Sequence, residues 1–150
     1  EWWRLVTPMF IHFSFSHLVF NCLWLYVLGS KIELYDGKIR FIALVIFSSI
    51  VANYSQHIFS GPALFGGLSG VVYGMFGFCM IMELESKNLR YELPPAMYLF
   101  MLIWMLLGFL GILEIFGFGK IANFAHLGGL IAGLIFGMVS KYISMIKLKI

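Results

Sequence analysis

The sequence predicts an all-α polytopic membrane protein, and three observations lead to that class. Its 150 residues are 61% hydrophobic and 11% charged, whereas a soluble domain carries about 25% charged residues. A chain of this size cannot bury so much apolar surface in a single core. Five apolar stretches approach the ~20 residues that cross a bilayer, namely 12–29, 38–58, 69–82, 95–114 and 123–140.

Lysine and arginine are distributed unevenly between these stretches. If all five span, eight of the ten basic residues fall on one side: Lys31, Lys38, Arg40, Lys87, Arg90, Lys141, Lys147 and Lys149. The other side has only Arg4 and Lys120. The positive-inside rule places the eight in the cytoplasm. We therefore expect the first, third and fifth helices to run from the outer to the inner face.

The third stretch is short and is expected to begin below the outer membrane surface. Glu83 should mark its inner end, because a carboxylate at the bilayer centre is costly. Ser69 lies about 21 Å from Glu83 along a helix, against a hydrocarbon slab ~30 Å thick. The preceding segment, FSGPALFGGL, must then dip into the membrane, where irregular backbone is tolerated only when protein or a wet cavity surrounds it. Pro94 and Pro95 suit the start of the fourth helix.

Three polar side chains are expected at nearly the same depth. Counting back from the lysines at the inner ends of the first and fifth stretches gives about 21 Å to His17 and about 22 Å to His126. Ser69 falls at a similar height. Asn21, in the motif HLVFN, lies about a turn deeper and shares a helix face with His17.

Ser69, in the stretch FGGLSGVVYG, has two interpretations. A serine at a helix start is a favoured N-cap, and capping is the simpler of the two. A helix start also leaves backbone N–H groups unpaired, and such donors can hold an oxyanion beside an attacking hydroxyl. The sequence alone leaves both open.

His126 stands beside a stripe of small residues. A histidine in a membrane helix can simply bond to a neighbouring helix, although an intramembrane ionisable group is a functional hypothesis by default. Small residues at four-residue spacing let another backbone approach closely. The stripe on this helix is Ala125, Gly129, Gly133 and Gly137, and the third helix offers Gly70, Gly74 and Gly77. Docking the two stripes would bring His126 beside Ser69.

Other polar and aromatic residues are open to a structural or a functional interpretation. Tyr73 lies one turn after Ser69, where its ring packs either against the imidazole or in an ordinary core. His17 and Asn21 either bond between helices or donate to a developing oxyanion. The outer half is also polar at His12, Asn53, Gln56 and His57. These four side chains either keep a pocket wet or are interfacial residues without a special role.

Several functional classes are excluded or disfavoured by the sequence. No Asp or Glu occurs in 37–82 or 115–150, and Glu114, expected to end the fourth helix, lies too near the surface to orient His126. A serine hydrolase here would therefore use a Ser–His dyad. An α/β-hydrolase elbow needs glycine where Val71 stands, and no HExxH-type metal cluster occurs. The net charge of +3 is too small to indicate nucleic acid, and no cofactor is expected.

Three motifs resemble those of bacterial rhomboid intramembrane serine proteases. They are HLVFN (17–21), GLSGVVYG (67–74) and AHLGGLIAG (125–133), in order along nearly the whole chain. The segment EWWR at the start is similar to the Trp-Arg pair of the family's long first loop. This resemblance implies a rhomboid-like bundle with five transmembrane helices in residues 1–150, beginning inside the first loop. The family usually has six core helices, so the resemblance implies that the first of them is not part of this sequence.

The resemblance also implies roles for the motif residues. Ser69 would be the nucleophile and His126 the general base. His17, Asn21 and the Ser69 N–H would form the oxyanion site. Tyr73, Gly67, Gly129 and Gly133 would support it. Phe20 and Trp104 would lie at a lateral gate, and loop 116–122 would cap the site.

The implied activity is cleavage of other proteins' transmembrane helices. The enzyme would lie in the bacterial inner membrane with its active site open to the periplasm, without metal, cofactor or nucleic acid. A non-catalytic relative that binds transmembrane helices is the alternative, although such relatives usually lack the serine or the histidine. A small transporter would show an internal repeat or broken helices in matching halves, and neither is found.

Overall fold

The protein is a helical bundle in the parts of the chain that the computed structural model describes, which are residues 1–84, 90–116 and 119–147. Two short 3-10 helices, Trp2–Leu5 and Thr7–Phe10, come first. The α-helices that follow are α1 (Phe15–Asp36), α2 (Lys38–Ser60), α3 (Ser69–Glu83), α4 (Pro95–Phe109), α5 (Ile112–Ile115) and α6 (Asn123–Lys147). These ranges contain no strand, so the all-α prediction is confirmed.

Among the described residues, three helices have the length and composition needed to cross a membrane. They are α1, α2 and the Asn123–Ile146 part of α6, while α3 and α4 are apolar but have 15 residues each. The outer surface is strongly apolar: Phe15, Ile39 and Ile115 are 82%, 86% and 83% exposed. Such a surface is suited to lipid rather than water. The number of crossings, five, stays a prediction.

Helix α1 runs further than its apolar stretch indicated. Ser14 caps its start, since the Ser14 side chain accepts a hydrogen bond from the His17 backbone N–H at 3.1 Å. The apolar stretch ends near residue 29, and the helix continues beyond it through charged residues to Asp36. Gly37 then ends it with φ of +87°, a conformation that residues with a Cβ rarely adopt.

Helix α4 ends earlier than predicted. The stretch 95–114 was expected to be one helix ending at Glu114, but α4 begins at Pro95 and stops at Phe109. Gly111 has a left-handed backbone with φ of +72°, and its N–H bonds to the Gly108 carbonyl at 3.1 Å. Such a glycine is a common helix terminator. Glu114 therefore lies in the separate short helix α5.

The centre of the bundle is α3, which packs closely against α6. Ten of its fifteen residues are buried, from Gly70 to Cys79. A Cβ added to Gly129 would fall on the Gly70 carbonyl oxygen, and one added to Gly133 on the Gly74 carbonyl oxygen. The two stripes of small residues therefore dock backbone to backbone, as the sequence predicted.

The helix ends rich in lysine and arginine, called here the basic end, are joined by a buried carboxylate. Asp36 accepts hydrogen bonds from Arg40 Nη1 at 3.0 Å, Arg90 Nη2 at 2.7 Å and the Tyr91 hydroxyl at 2.6 Å. Burial, together with the hydrogen bond to Asp36, raises the pKa of the Tyr91 hydroxyl well above its usual range. Tyr91 therefore stays a donor, and Asp36 holds α1 to α2 and to the segment before α4.

Glu83, at the end of α3, makes a second link at the same end. Its carboxylate accepts from the Tyr91 backbone N–H at 2.8 Å and from the Tyr98 hydroxyl at 2.5 Å. The end of α3 is at Glu83, where the sequence predicted it. Because Tyr98 belongs to α4, this carboxylate ties the start of α4 to the end of α3.

Candidate active site

The first turn of α3 meets the first turns of α6 at a serine and a histidine. Ser69 Oγ lies 2.8 Å from His126 Nε2, within hydrogen-bond distance. Ser69 is the first residue of α3, and its N-cap is Leu68, without a side-chain cap bond. The N-cap interpretation of Ser69 is therefore wrong, and its hydroxyl bonds instead to an imidazole fifty-seven residues along the chain.

The position of His126 follows from the glycine packing beneath it. Gly129 lies one turn further along α6, against the Gly70 carbonyl, so the two helices touch close to the serine. The imidazole is buried with 5% exposed. Its Nδ1 atom is buried without a hydrogen-bond partner. Among the described residues, no carboxylate bonds to this nitrogen.

Tyr73 packs against the imidazole from α3. The ring centroids of Tyr73 and His126 are 4.7 Å apart with the planes tilted by 30°. The Tyr73 hydroxyl donates to the Met101 carbonyl of α4 at 2.9 Å, and the side chain is 2% exposed. The imidazole therefore rests on a ring that is fixed at its far end.

His17 approaches the serine from α1. A methyl group placed on Gly67 would lie 2.8 Å from His17 Nε2 and 3.7 Å from Ser69 Oγ. The two side chains therefore border one small volume, which exists because residue 67 has no Cβ. Gly67 has φ of +124°, a backbone that only glycine adopts without strain. His17 also contacts the His12 ring, with centroids 4.9 Å apart.

Asn21 lies one turn after His17 on the same helix. Its side chain is 3% exposed, and its Nδ2 atom is buried without a hydrogen-bond partner. An amide donor left unpaired in a protein interior costs free energy. The lack of a partner for Asn21 Nδ2 would be explained if a bound ligand supplied the acceptor oxygen.

Three of the four polar residues of the outer half contact other parts of the bundle. Gln56 Oε1 accepts from the Ala125 backbone N–H at 3.0 Å, and Asn53 Nδ2 donates to the Leu5 carbonyl at 2.8 Å. The Leu68 N–H lies 3.5 Å from His12 Nε2. His57 is exposed at the end of α2. These contacts support the first turns of α3 and α6 and the N-terminal segment.

The aromatic residues expected at a gate join α1 and α4. Phe20 and Trp104 have ring centroids 5.9 Å apart, and Trp24 and Phe100 are stacked at 6.3 Å. The structure therefore brings the predicted pair together. The expected cap loop, 116–122, includes residues 117 and 118, which lie outside the described residues.

Three contacts of this site were not predicted from the sequence. They are the approach of His17 to Gly67, the Met101 carbonyl that holds Tyr73, and the Gln56 amide that holds Ala125. The first had a usable signal, since a Gly-Gly pair before a helix is typical of backbone that needs positive φ. The other two depend on how helices cross.

The arrangement has the parts that nucleophilic catalysis needs. A hydroxyl is bonded to a buried imidazole that can take its proton. Donors from His17 and Asn21 lie on the neighbouring α1, where His17 shares a volume with the hydroxyl. Preorganised donors beside a nucleophile stabilise a developing oxyanion.

Comparison with known proteins agrees with this geometry. The family model of the Rhomboid domain matches residues 1–142. The chain is 38% identical over 133 residues to the Rhomboid protease GlpG of Serratia proteamaculans (strain 568), covering 89% of this chain and 46% of that protein. The same figures hold for the Rhomboid protease GlpG of Yersinia pestis and of its strain Pestoides F. The chain thus spans less than half the length of the curated relatives it matches.

Proposed function

This chain belongs to the rhomboid family of integral membrane proteins, and we propose that it is an intramembrane serine endopeptidase with a Ser–His dyad. The observation that carries the proposal is the 2.8 Å contact between Ser69 Oγ and His126 Nε2. The relatives named as rhomboid proteases support it further.

In the proposed reaction, His126 Nε2 takes the proton from Ser69 as Oγ attacks the scissile carbonyl carbon. The carbonyl π electrons move to oxygen and give a tetrahedral oxyanion. When this intermediate collapses, the C–N bond breaks, and the imidazolium gives its proton to the leaving nitrogen. A water molecule then attacks the acyl-serine with His126 again as base. The second step restores the serine hydroxyl and releases the carboxyl product.

The oxyanion is proposed to accept hydrogen bonds from His17, Asn21 and the Ser69 backbone N–H. The unpaired Nδ2 of Asn21 and the shared volume beside Gly67 support this role. Each such donor is typically worth about 10²–10³ in kcat. The residues Tyr73, Gly67, Gly129 and Gly133 are proposed to hold the site in shape.

The proposed substrates are transmembrane segments of other proteins. They would enter between α1 and α4, where Phe20 and Trp104 meet, because an apolar substrate reaches the serine from lipid most directly by that path. We place the protein in the bacterial inner membrane with the site open to the periplasm, because the basic helix ends are on the opposite side. The second candidate, a non-catalytic binder of transmembrane helices, has less support because both dyad residues are present.

The test is covalent labelling of the serine in the full-length protein embedded in membranes. We expect a fluorophosphonate probe to label the unmodified protein at Ser69, because the buried imidazole activates its hydroxyl. Ser69→Ala should lose the label and the cleavage of a transmembrane substrate. Ser14→Ala, which alters an exposed serine in a helix cap, should keep both. Labelling that survives Ser69→Ala, or a labelled protein that cleaves no transmembrane peptide, would overturn the assignment.

Gly67→Ala is predicted to lower kcat by about 10²-fold, the typical effect of losing one oxyanion donor. The new methyl would meet His17 Cε1 at 2.7 Å and displace the imidazole. Steady-state kinetics with a transmembrane substrate measure this change.

Gly61→Ala is the matched control for Gly67→Ala. Gly61 also has a positive φ, of +71°, but a Cβ there meets nothing within 4 Å. Both variants carry backbone strain, and only Gly67→Ala crowds the site. Equal losses of kcat in the two variants would contradict the proposed role of His17.

A further inference from the structure

A groove of about 420 Å³ lies on the outside of the bundle, away from the serine, between the start of α2 and the second half of α6. The groove is open because two small side chains, Ala43 of α2 and Ser140 of α6, line it. Four residues after Ala43, the Phe47 ring contacts Phe136, with centroids 6.0 Å apart. The groove therefore extends from the basic end up to this ring pair.

The walls of the groove are apolar over a length that suits a hydrocarbon chain. Phe136, Val139 and Ile143 line it from α6, and these residues span about 10 Å along the helix. Val139 and Ile143 are 53% and 45% exposed. In a membrane protein, an open apolar groove of this kind faces lipid tails rather than water.

One end of the groove carries excess positive charge. Arg40 lines it and has 31% of its side chain exposed. Asp36 also lines it, but its side chain is 0% exposed, and its carboxylate is shared by Arg40 and Arg90. Because Asp36 is buried and also paired with Arg90, which does not line the groove, the charge exposed at this end is that of Arg40.

From these observations we propose that the groove is a binding site for one anionic phospholipid. The phosphate would bind Arg40, whose planar guanidinium suits phosphate oxygens, and one acyl chain would lie along Ala43 and the apolar wall of α6. Charge and shape point to the same occupant, since a cationic end adjoins an apolar channel. Basic sites between membrane helices are known to select lipid headgroups. The bound lipid would bridge α2 and α6, the helix that carries His126.

Lipid retention measures this site directly. The full-length protein is purified in detergent with added phosphatidylglycerol, and the retained lipid is counted by native mass spectrometry over a range of lipid concentrations. We expect one saturable lipid per chain, bound about tenfold more tightly than phosphatidylcholine, because the choline ammonium of that lipid cancels the phosphate charge and is repelled by the cationic end of the groove. Inorganic phosphate should neither replace it nor raise the unfolding temperature. Stabilisation by inorganic phosphate alone would overturn the lipid assignment.

Matched variants separate the groove from general electrostatics. Arg40→Gln should weaken retention about tenfold, while Lys38→Gln removes the same charge from the same helix turn and should leave retention close to the unmodified value. Ala43→Phe should fill the groove and abolish retention, and Ile42→Phe, which adds a ring at the adjacent exposed position, should not. Equal losses within either pair would contradict a defined site.

A photoreactive lipid gives a result that does not depend on folding of the variants. Phosphatidylglycerol with a diazirine in its acyl chain is bound to the unmodified protein, and crosslinked peptides are mapped after irradiation. Crosslinks concentrated in 36–47 and 136–143 are expected. Crosslinks spread evenly over the lipid-facing helices would refute the proposal.

Discussion

Replacement of His126 by alanine is expected to lower cleavage of a transmembrane substrate by at least about 10³-fold, the usual scale for loss of a general base. The hydrogen bond of the imidazole is to Ser69 at 2.8 Å, so its removal leaves the hydroxyl without a proton acceptor. Fluorophosphonate labelling should fall with cleavage. The unfolding temperature should change little, because α6 is held at Gly129 and Gly133 by backbone contacts that do not involve the ring.

Two further variants make this result specific. His57→Ala removes an exposed histidine at the end of α2 and should be labelled like the unmodified protein. The double variant Ser69→Ala, His126→Ala should be no slower than Ser69→Ala alone, because residues that act as a unit are not additive. Retention of labelling in His126→Ala would show that the serine is activated by another group.

Replacement of Gly129 by leucine is predicted to have the largest effect on stability. Even the Cβ would fall on the Gly70 carbonyl oxygen, and a backbone atom cannot move aside as a side chain can. We expect the free energy of unfolding to fall by about 3 kcal/mol or more, at the upper end for overpacked sites. Labelling should also be lost, because α6 carries His126 and can no longer lie against α3. Unfolding by urea in detergent micelles measures the first effect.

Alanine at two positions of the same stripe provides the control. Gly129→Ala places a methyl on the Gly70 carbonyl oxygen, whereas a methyl at Gly137 would meet Ile81 Cβ at the longer distance of 2.9 Å and backbone only at 3.4 Å, so a much smaller shift relieves it. Gly129→Ala should therefore be the more destabilising. Equal losses of stability in the two variants would mean that the close approach of α3 and α6 at Gly129 does not determine the cost of the substitution.

Sequence periodicity and the length of the apolar stretches predicted which segments are helical more accurately than they predicted where each helix ends. The starts at Ser69 and Pro95 could be identified from a glycine-rich turn and a proline pair. The end of α1 could not, because the charged run that follows the apolar stretch is helical up to Asp36, where the partly exposed Arg40 and Arg90 satisfy the buried carboxylate. Arg90 lies 54 residues along the chain from Asp36, and sequence periodicity carries no information about a contact at that separation.

The candidate site was more predictable than the helix ends. Depth counting placed Ser69, His126 and His17 at one level, and the small-residue stripes indicated which helices would touch. These two arguments need only helix rise and side-chain volume. The volume shared by His17 and Ser69 depends in addition on the positive φ of Gly67, and a backbone angle of that kind is set by the whole segment that enters α3.

The hydroxyl of Tyr73 has a mechanical consequence. It is bonded to the Met101 carbonyl in the middle of α4, while its ring supports the imidazole of His126. If α4 moves sideways together with Met101, either this hydrogen bond breaks or the Tyr73 ring moves away from the imidazole. In the proposed reaction, entry of a transmembrane substrate beside α4 and the position of the His126 imidazole would therefore both depend on the Tyr73 hydroxyl.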